Sequence, residues 1–318
     1  MKKLAFLIVC IFISPLLFSK NNADLVSRVK FASQEKGREL LSTEDDYTNK
    51  WSRFDIESRM QKKGTTKEEL LAYIAEQVQH WTEEEKLMLQ ESLNRFDSIC
   101  VANGYNLDFP EEIYFVKTNG KDESGAVGYT RGNYVVINGE EFGKYPEMRD
   151  YIVFHELFHI LTRHNPAFRK KMYKLIGFET IEDVEYPEEL KDIRMSNPDT
   201  PFDDCYISLK KEGKPVDCLM IMYAKDDYDG GNFFNYLQIA FLEIEVSDGK
   251  GKVKYVDGEL QIYGLQELGG LLEQIGYNSQ YILHAEEILA DNFSMVMLDK
   301  QGLPSEWLKN DIIELLKK

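Results

Sequence analysis

The chain has 318 residues, which is enough for a sizeable hydrophobic core and one or two domains. Hydrophobic residues at 43% and aromatic residues at 12% exclude an intrinsically disordered chain and predict a folded globular protein. The formal net charge of -17 argues against nucleic acid or an anionic membrane as a partner, because both attract basic patches.

Residues 1–19 have the pattern of a secretory signal peptide. Lys2 and Lys3 precede an apolar run that ends at Phe18, and polar residues follow. The run is short for a membrane-spanning helix. We therefore predict signal cleavage, export to the periplasm or the medium, and no stable membrane span in the mature protein. An uncleaved N-terminal anchor is the alternative.

Residues 20–108 are predicted to form an N-terminal helical region. Thr82 opens a capping box before a helix that runs toward Cys100, and Thr66 begins the preceding helix in the same way. Four aromatic residues are expected to pack these helices against one another: Trp51, Phe54, Trp81 and Phe96.

From residue 109 onward the pattern predicts mixed structure, which makes the fold class α+β. Strands at 113–116 and 134–137 form a small sheet, and the next helix begins near Pro146 and ends by Asn165. A further helix follows and ends near Gly177.

A strand-rich insertion is predicted at about 200–264. It contains a hairpin with strands at 206–209 and 216–223, then a strand at 233–246. Cys205 and Cys218 flank the hairpin, so they either form a disulfide or remain buried thiols. Two C-terminal helices are predicted, at 285–298 and 304–316.

The most informative segment is the H-E-L-F-H sequence at 155–159. Residues four apart lie on one face of a helix, so His155 and His159 can bind the same metal ion. Glu156 lies between them and is placed to accept a proton from a water molecule that the metal activates. Three of the five histidines of the chain fall between 155 and 164, which strengthens the prediction of a metal site.

A catalytic zinc ion usually has three protein ligands, so a third must come from elsewhere in the chain. The metzincin pattern requires a glycine and a histidine where this sequence has Thr162 and Asn165. His164 is one residue short of the required spacing, and its place at the helix end also fits an interaction with the last carbonyl groups.

The segment from His284 to Asn292 offers a better third ligand. Glu287 and Asp291 are four apart, so a helix presents both carboxylates on one face. We predict that Glu287 binds the metal and that Asp291 accepts the outer N–H of a ligating histidine. Glu286 points away from that face and is expected to be solvated.

H-E-x-x-H on one helix and E-x-x-x-D on a later one resemble the gluzincin metallopeptidases, the thermolysin-like clan. The resemblance implies Zn²⁺ held by His155, His159 and Glu287, with Glu156 as the general base and Asp291 as the supporting carboxylate. The pairing of H-E-L-F-H with E-E-I-L-A-D-N-F is also similar to that of a group of exported bacterial proteins, which implies no particular substrate.

The gluzincin resemblance further implies a zincin-like fold for residues 109–318. Such proteins place a sheet before the first zinc helix, and its edge strand pairs with an extended peptide. Ala126–Thr130 is the candidate edge, with an ordinary hairpin loop as the alternative. Tyr281 is the first candidate to stabilise the oxyanion, ahead of Tyr277 and His284.

These patterns predict an exported zinc metallopeptidase that acts on a peptide or protein substrate. One alternative is a non-catalytic protein in which zinc is structural. Another is a cell-envelope interaction protein that uses its strand-rich block to bind a partner, with both histidines buried in the core and simply hydrogen-bonded.

Overall fold

The computed structural model describes residues 24–317, so the signal peptide predicted at 1–19 lies outside the described residues. Within the described range, α-helices and β-strands are mixed, as the α+β prediction requires. The helices are α1 Leu25–Arg28, α2 Gln34–Ser42, α3 Arg53–Met60, α4 Lys67–Glu76, α5 Glu83–Asn103, α6 Gly139–Phe142, α7 Arg149–His164, α8 Pro166–Leu175, α9 Leu271–Ile275, α10 Ala285–Met297 and α11 Glu306–Leu316. The strands are β1 Val29–Phe31, β2 Ile113–Thr118, β3 Gly128–Arg131, β4 Tyr134–Asn138, β5 Phe178–Thr180, β6 Cys205–Lys211, β7 Lys214–Ala224, β8 Leu237–Ser247, β9 Lys250–Val253, β10 Tyr255–Val256, β11 Glu259–Leu260, β12 Ile262–Tyr263 and β13 Leu268–Gly269.

The first sheet has four strands in the order β1-β2-β4-β3. Strands β1, β2 and β4 are parallel, whereas β3 is antiparallel to β4 and lies at the edge of the sheet. The candidate edge segment at 126–130 therefore overlaps the edge strand. Strand β1 lies inside the region predicted to be helical, so that region also contributes one strand to the sheet.

The N-terminal helices begin where the sequence predicts. Ser52, Thr66 and Thr82 each accept a hydrogen bond from the backbone N–H three residues later, which satisfies a donor that the helix leaves unpaired. The predicted packing of aromatic residues among these helices is confirmed for Trp51, which packs against a cluster that includes Leu41, Leu70 and Ile74, but it is incomplete for Phe54 and Phe96. Phe54 contacts Tyr228, Phe233 and Tyr236 beyond β7, and Phe96 contacts Phe109, Phe154 and Phe293. These aromatic side chains fasten the helices to the rest of the molecule.

Helix α10 lies at the centre of the largest hydrophobic core. All of its residues are buried, and its neighbours include α7, α8 and α11. Phe293 packs against Phe96 of α5 and Phe158 of α7, with ring centroids 6.1 and 5.3 Å apart. Burial of large aromatic side chains of this kind contributes strongly to stability, and here it fixes α7 against α10.

The second sheet has seven strands, and it includes residues on both sides of the insertion predicted at 200–264. It starts with β5 and ends with β13, so it covers residues 178–269. The predicted hairpin is confirmed, with β6 and β7 joined at Glu212 and Gly213, which both have positive φ. The stretch predicted as one strand at 233–246 begins instead with a 3₁₀ turn, and β8 follows it.

The disulfide alternative for Cys205 and Cys218 is wrong, because both residues are buried free thiols. The β6–β7 register places Cys218 opposite Ile207, so Cys205 lies two residues away from the partner position. In residues 24–317, no helix is both long enough and apolar enough to cross a membrane.

Candidate metal centre

Helices α7 and α10 bring the predicted ligands together. Helix α7 follows a 3₁₀ turn that starts at Pro146, and it ends at His164 because Asn165 caps the next helix. His155 and His159 lie one turn apart on the face of α7 that packs against α10. Glu287 lies in the first turn of α10, directly opposite them.

Three ligand atoms of this cluster lie within 4.8 Å of one another, one each from His155, His159 and Glu287. The Oε2 atom of Glu287 is 3.1 Å from His155 Nε2 and 3.6 Å from His159 Nε2. The ligand atoms of a tetrahedral zinc ion with ordinary bond lengths lie about 3.3 Å apart. The cluster therefore has the spacing and the donor types of a zinc site.

His159 provides a second reason to place a metal here. Its side chain is fully buried, and its Nε2 atom has no hydrogen-bond partner. A buried polar atom without a partner costs free energy, so native proteins rarely leave one unsatisfied. The alternative in which both histidines are simply hydrogen-bonded in the core does not account for this atom, whereas a metal ion bound to Nε2 does.

The Nδ1 atom of each histidine lies next to a carboxylate. His155 Nδ1 lies 3.2 Å from Asp291 Oδ1, the position predicted for the supporting carboxylate. Ser279 donates a hydrogen bond to the other oxygen of Asp291 and holds it in place. The hydrogen bond at Nδ1 leaves Nε2 of His155 facing Glu287.

The expectation that Glu286 is solvated is wrong. Glu286 is only 3% exposed, and its Oε1 atom lies 3.2 Å from His159 Nδ1. Thr162 and Tyr173 donate hydrogen bonds to the same carboxylate. Every residue of α10 is buried, so no side of this helix, including the side that carries Glu286, faces solvent.

Glu156 lies next to the face of α7 that carries the histidines, and it contacts the edge strand. It is 4% exposed, and Thr130 Oγ1 of β3 donates a 2.7 Å hydrogen bond to its Oε2 atom. Gly128 permits this approach, because a Cβ atom there would lie 3.0 Å from Glu156 Oε1. Burial raises the pKa of Glu156 above its ordinary value.

Asp199 is a residue of the site that the sequence did not predict. It belongs to the loop between β5 and β6, where the sequence has no periodic pattern that would predict which way a side chain points. Its Oδ1 atom lies 3.9 Å from His159 Nε2 and accepts a 2.6 Å hydrogen bond from the backbone N–H of Thr130. Asp199, Glu156 and His159 form a second group of candidate ligands whose atoms lie within 4.8 Å of one another.

The candidates for stabilising the oxyanion differ in position. The Tyr281 ring lies 6.4 Å from the His155 ring and is 43% exposed. Tyr281 also lines a cavity beside the cluster. Tyr277 is exposed, and His284 caps α10 by accepting a hydrogen bond from the backbone N–H of Glu286. His164 is exposed at the end of α7 and takes no part in the cluster.

Protonation of the metal-free cluster follows from its charges. Burial lowers the pKa of His155, but hydrogen bonds with Asp291 and Glu287 outweigh burial and raise that pKa to about 10. Burial raises the pKa of Glu287, but the two histidines outweigh it and leave the pKa well below its ordinary range. Imidazolium ions therefore neutralise carboxylates in the metal-free cluster, and a metal ion that bound here would have to displace their protons.

A small cavity of about 70 Å³ opens beside the cluster. Its walls come from the edge strand, from Asn197–Asp199 and from apolar side chains of the second sheet region, among them Met222, Phe233 and Phe234. Apolar walls with a few polar groups are typical of a binding site.

Comparisons of the chain with protein-family models, with curated proteins and with solved structures find no match. The geometry of the cluster and the sequence motifs carry the assignment of a function.

Proposed function

We propose that the protein is an exported, zinc-dependent peptidase of the gluzincin type. The observation that carries the proposal is the buried, unpartnered Nε2 atom of His159 beside His155 and Glu287, with the carboxylate of Glu156 near the same histidine. A structural zinc site does not require a buried carboxylate that is not a ligand, whereas hydrolysis requires a base there.

Zinc bound by His155, His159 and Glu287 would lower the pKa of a water molecule and polarise the scissile carbonyl. Glu156 accepts the proton of that water and later donates it to the leaving amine. Its burial supports this role, because a carboxyl group with a raised pKa is a stronger base than an ordinary one. The hydrogen bond from Thr130 fixes the orientation of its carboxylate against the edge strand.

Strand β3 is the candidate site for an extended substrate. It is the edge strand of its sheet, and its backbone N–H at residue 130 points away from β4 toward the cleft. A peptide that pairs with this edge gains main-chain hydrogen bonds with little dependence on its side chains. The scissile bond of such a peptide then lies near Glu156, which contacts the same strand.

Tyr281 is proposed to donate a hydrogen bond to the developing oxyanion. Partial burial and the charge of Glu287 raise the pKa of its phenol, so the hydroxyl stays protonated at neutral pH. Its exposure at the cleft gives it room to turn toward a substrate. Donors aimed at developing charge are worth several kcal/mol in comparable sites, about 2.7–4 each.

Glu156→Gln tests the proposal directly. We expect the variant to bind zinc as the parent does, because Glu156 is not among the three ligands, and to lose peptide hydrolysis because glutamine cannot accept the proton. Zinc content is measured by elemental analysis, and hydrolysis by mass spectrometry of a peptide library. Glu147→Gln, an exposed carboxylate just before α7, is the matched control. Hydrolysis by the Glu156→Gln variant at the parental rate would contradict the mechanism.

A second candidate function is a protein in which zinc is only structural. The position of Asp199 near His159 favours it, because Asp199 as a fourth ligand would complete a closed four-ligand site. Zinc binding without hydrolysis in both the parent and its variants would support this function over the peptidase.

A further inference from the structure

Residues 194–202, here called the cleft segment, run past the candidate ligands and contact both α7 and α10. Asn197 donates a hydrogen bond to Oε1 of Glu287, the oxygen that does not face the histidines. Arg163 of α7 donates hydrogen bonds to the carbonyl groups of Pro198 and Asp199, at 3.2 and 3.0 Å. The segment is therefore fixed to both helices that supply the candidate ligands.

The segment also occupies the substrate edge. Asp199 Oδ1 accepts the hydrogen bond from the backbone N–H of Thr130, a donor that an added peptide strand would require. In this conformation, the proposed peptide position along β3 is blocked at its centre. The side chain that blocks it is 10% exposed and lies against Glu156 and His159.

The donor chemistry makes Asp199 more than a steric obstacle. Its Oδ1 atom is 3.9 Å from His159 Nε2, close to the 3.6 Å between that nitrogen and the Glu287 ligand oxygen. His159 Nε2 is buried without a hydrogen-bond partner, and it belongs to both groups of candidate ligands, one with His155 and Glu287 and the other with Glu156 and Asp199. Four carboxylates lie within 4.0 Å of the two imidazole rings, those of Glu287, Asp291, Asp199 and Glu286, and a divalent cation would offset the excess negative charge.

Building on the proposed peptidase function, we propose that Asp199 is a fourth protein ligand of the bound zinc and keeps the enzyme latent. Two histidines and two carboxylates close the tetrahedral site, so a water molecule enters only when the cleft segment moves away. The same movement frees the N–H of Thr130 for a substrate strand. One displacement thus opens both the metal position and the peptide edge.

The N-terminal helices hold the segment in its closed position. Ser52 donates a 2.6 Å hydrogen bond to the carbonyl of Arg194, and Asp55 accepts a 3.0 Å hydrogen bond from the N–H of Ser196. Arg59 donates a 2.8 Å hydrogen bond to the carbonyl of Ser196. Helix α3 and its N-cap residue therefore make three hydrogen bonds to the cleft segment.

The test uses cobalt(II) in place of zinc, because the intensity of its visible absorption depends on coordination number. Parent, Asp199→Asn and Asp199→Ala are loaded with cobalt, and acetohydroxamate is titrated into each. We expect the spectrum to change in both variants, and acetohydroxamate affinity to rise at least about tenfold if the parental site is open in a tenth of the molecules or fewer. Peptide hydrolysis should rise in parallel.

Asp226→Asn is the matched control, because Asp226 is an exposed aspartate just after β7 and lies outside the cleft segment. Thermal unfolding confirms that the variants fold, and the isosteric asparagine keeps the test decisive if alanine disturbs the loop. An unchanged cobalt spectrum and acetohydroxamate affinity in both Asp199 variants would overturn the proposal. A changed spectrum without hydrolysis in any variant would support the fourth ligand but overturn the latency, together with the peptidase function.

Discussion

Glu286 and Asp291 lie behind the two histidines at the same distance, with each carboxylate 3.2 Å from an Nδ1 atom. A hydrogen bond at Nδ1 selects the tautomer whose Nε2 lone pair is free for a metal, and it fixes the direction of the ring. His159 depends on Glu286 in particular, because Nδ1 is the only one of its ring nitrogens with a hydrogen-bond partner among the described residues.

Glu286→Gln should weaken zinc binding by about 10–100-fold while leaving the three ligands in place. The uncharged amide polarises the His159 ring less than a carboxylate does, so Nε2 becomes a poorer ligand. Competition with a chromophoric chelator measures the zinc affinity. Glu273→Gln, an exposed carboxylate on α9, is the control and should bind zinc as the parent does. Equal zinc affinity in both variants would show that Glu286 has only a packing role.

Strand β3 contacts Glu156 through one residue that lacks a side chain and one that donates a hydrogen bond. Gly128 leaves room for the carboxylate, and Thr130 binds it. The backbone of Gly128 does not have a positive φ, so the absence of a Cβ atom rather than backbone conformation is what the site requires. The edge strand thereby positions the proposed base.

Gly128→Ala should lower peptide hydrolysis by up to about 100-fold, because its methyl group would lie 3.0 Å from Glu156 Oε1 and push the carboxylate aside. Zinc content should stay at the parental level, since no ligand is touched. Gly143→Ala is the control, because a Cβ atom at that position meets no other atom within 4 Å. A full parental rate in Gly128→Ala would show that Glu156 is not held in its working position by this strand.

The elements with strong periodic or capping signals could be predicted from the sequence, and those that depend on distant contacts could not. Helices α5 and α7 and the β6–β7 hairpin appear where capping residues, Asn165 and a turn sequence indicate. Strand β1 is three residues long and forms only by pairing with β2, so its own sequence has no visible pattern.

The candidate site divides in the same way. Its helical members could be predicted because spacing on a helix fixes which side chains share a face, as for His155, His159, Glu287 and Asp291. Asp199 could not, because a loop has no fixed period and its direction here is set by hydrogen bonds to α3, α7 and β3. Glu286 was missed because spacing alone ignores that α10 is buried on every side.

At the scale of the whole molecule, a buried ion-pair network joins the N-terminal helices to the first sheet and to the cleft segment. Arg59 of α3 is fully buried in its side chain and pairs at 2.6 Å with both Asp55 and Glu123. Its guanidinium also lies 4.6 Å from the ring centre of Phe233, beside the cleft. Three parts of the chain that are distant in sequence therefore meet at one cation.

Arg59→Ala should lower the free energy of unfolding by about 3–5 kcal/mol, because it leaves Asp55 and Glu123 buried without their cation. Urea denaturation followed by tryptophan fluorescence measures the change. Lys63→Ala removes an exposed cation that pairs with Asp229 just beyond α3, and its denaturation midpoint should match the parent. Because Arg59 also holds the carbonyl of Ser196, its loss should loosen the cleft segment as well as the fold. A denaturation midpoint equal to that of Lys63→Ala would show that the network contributes no net stability.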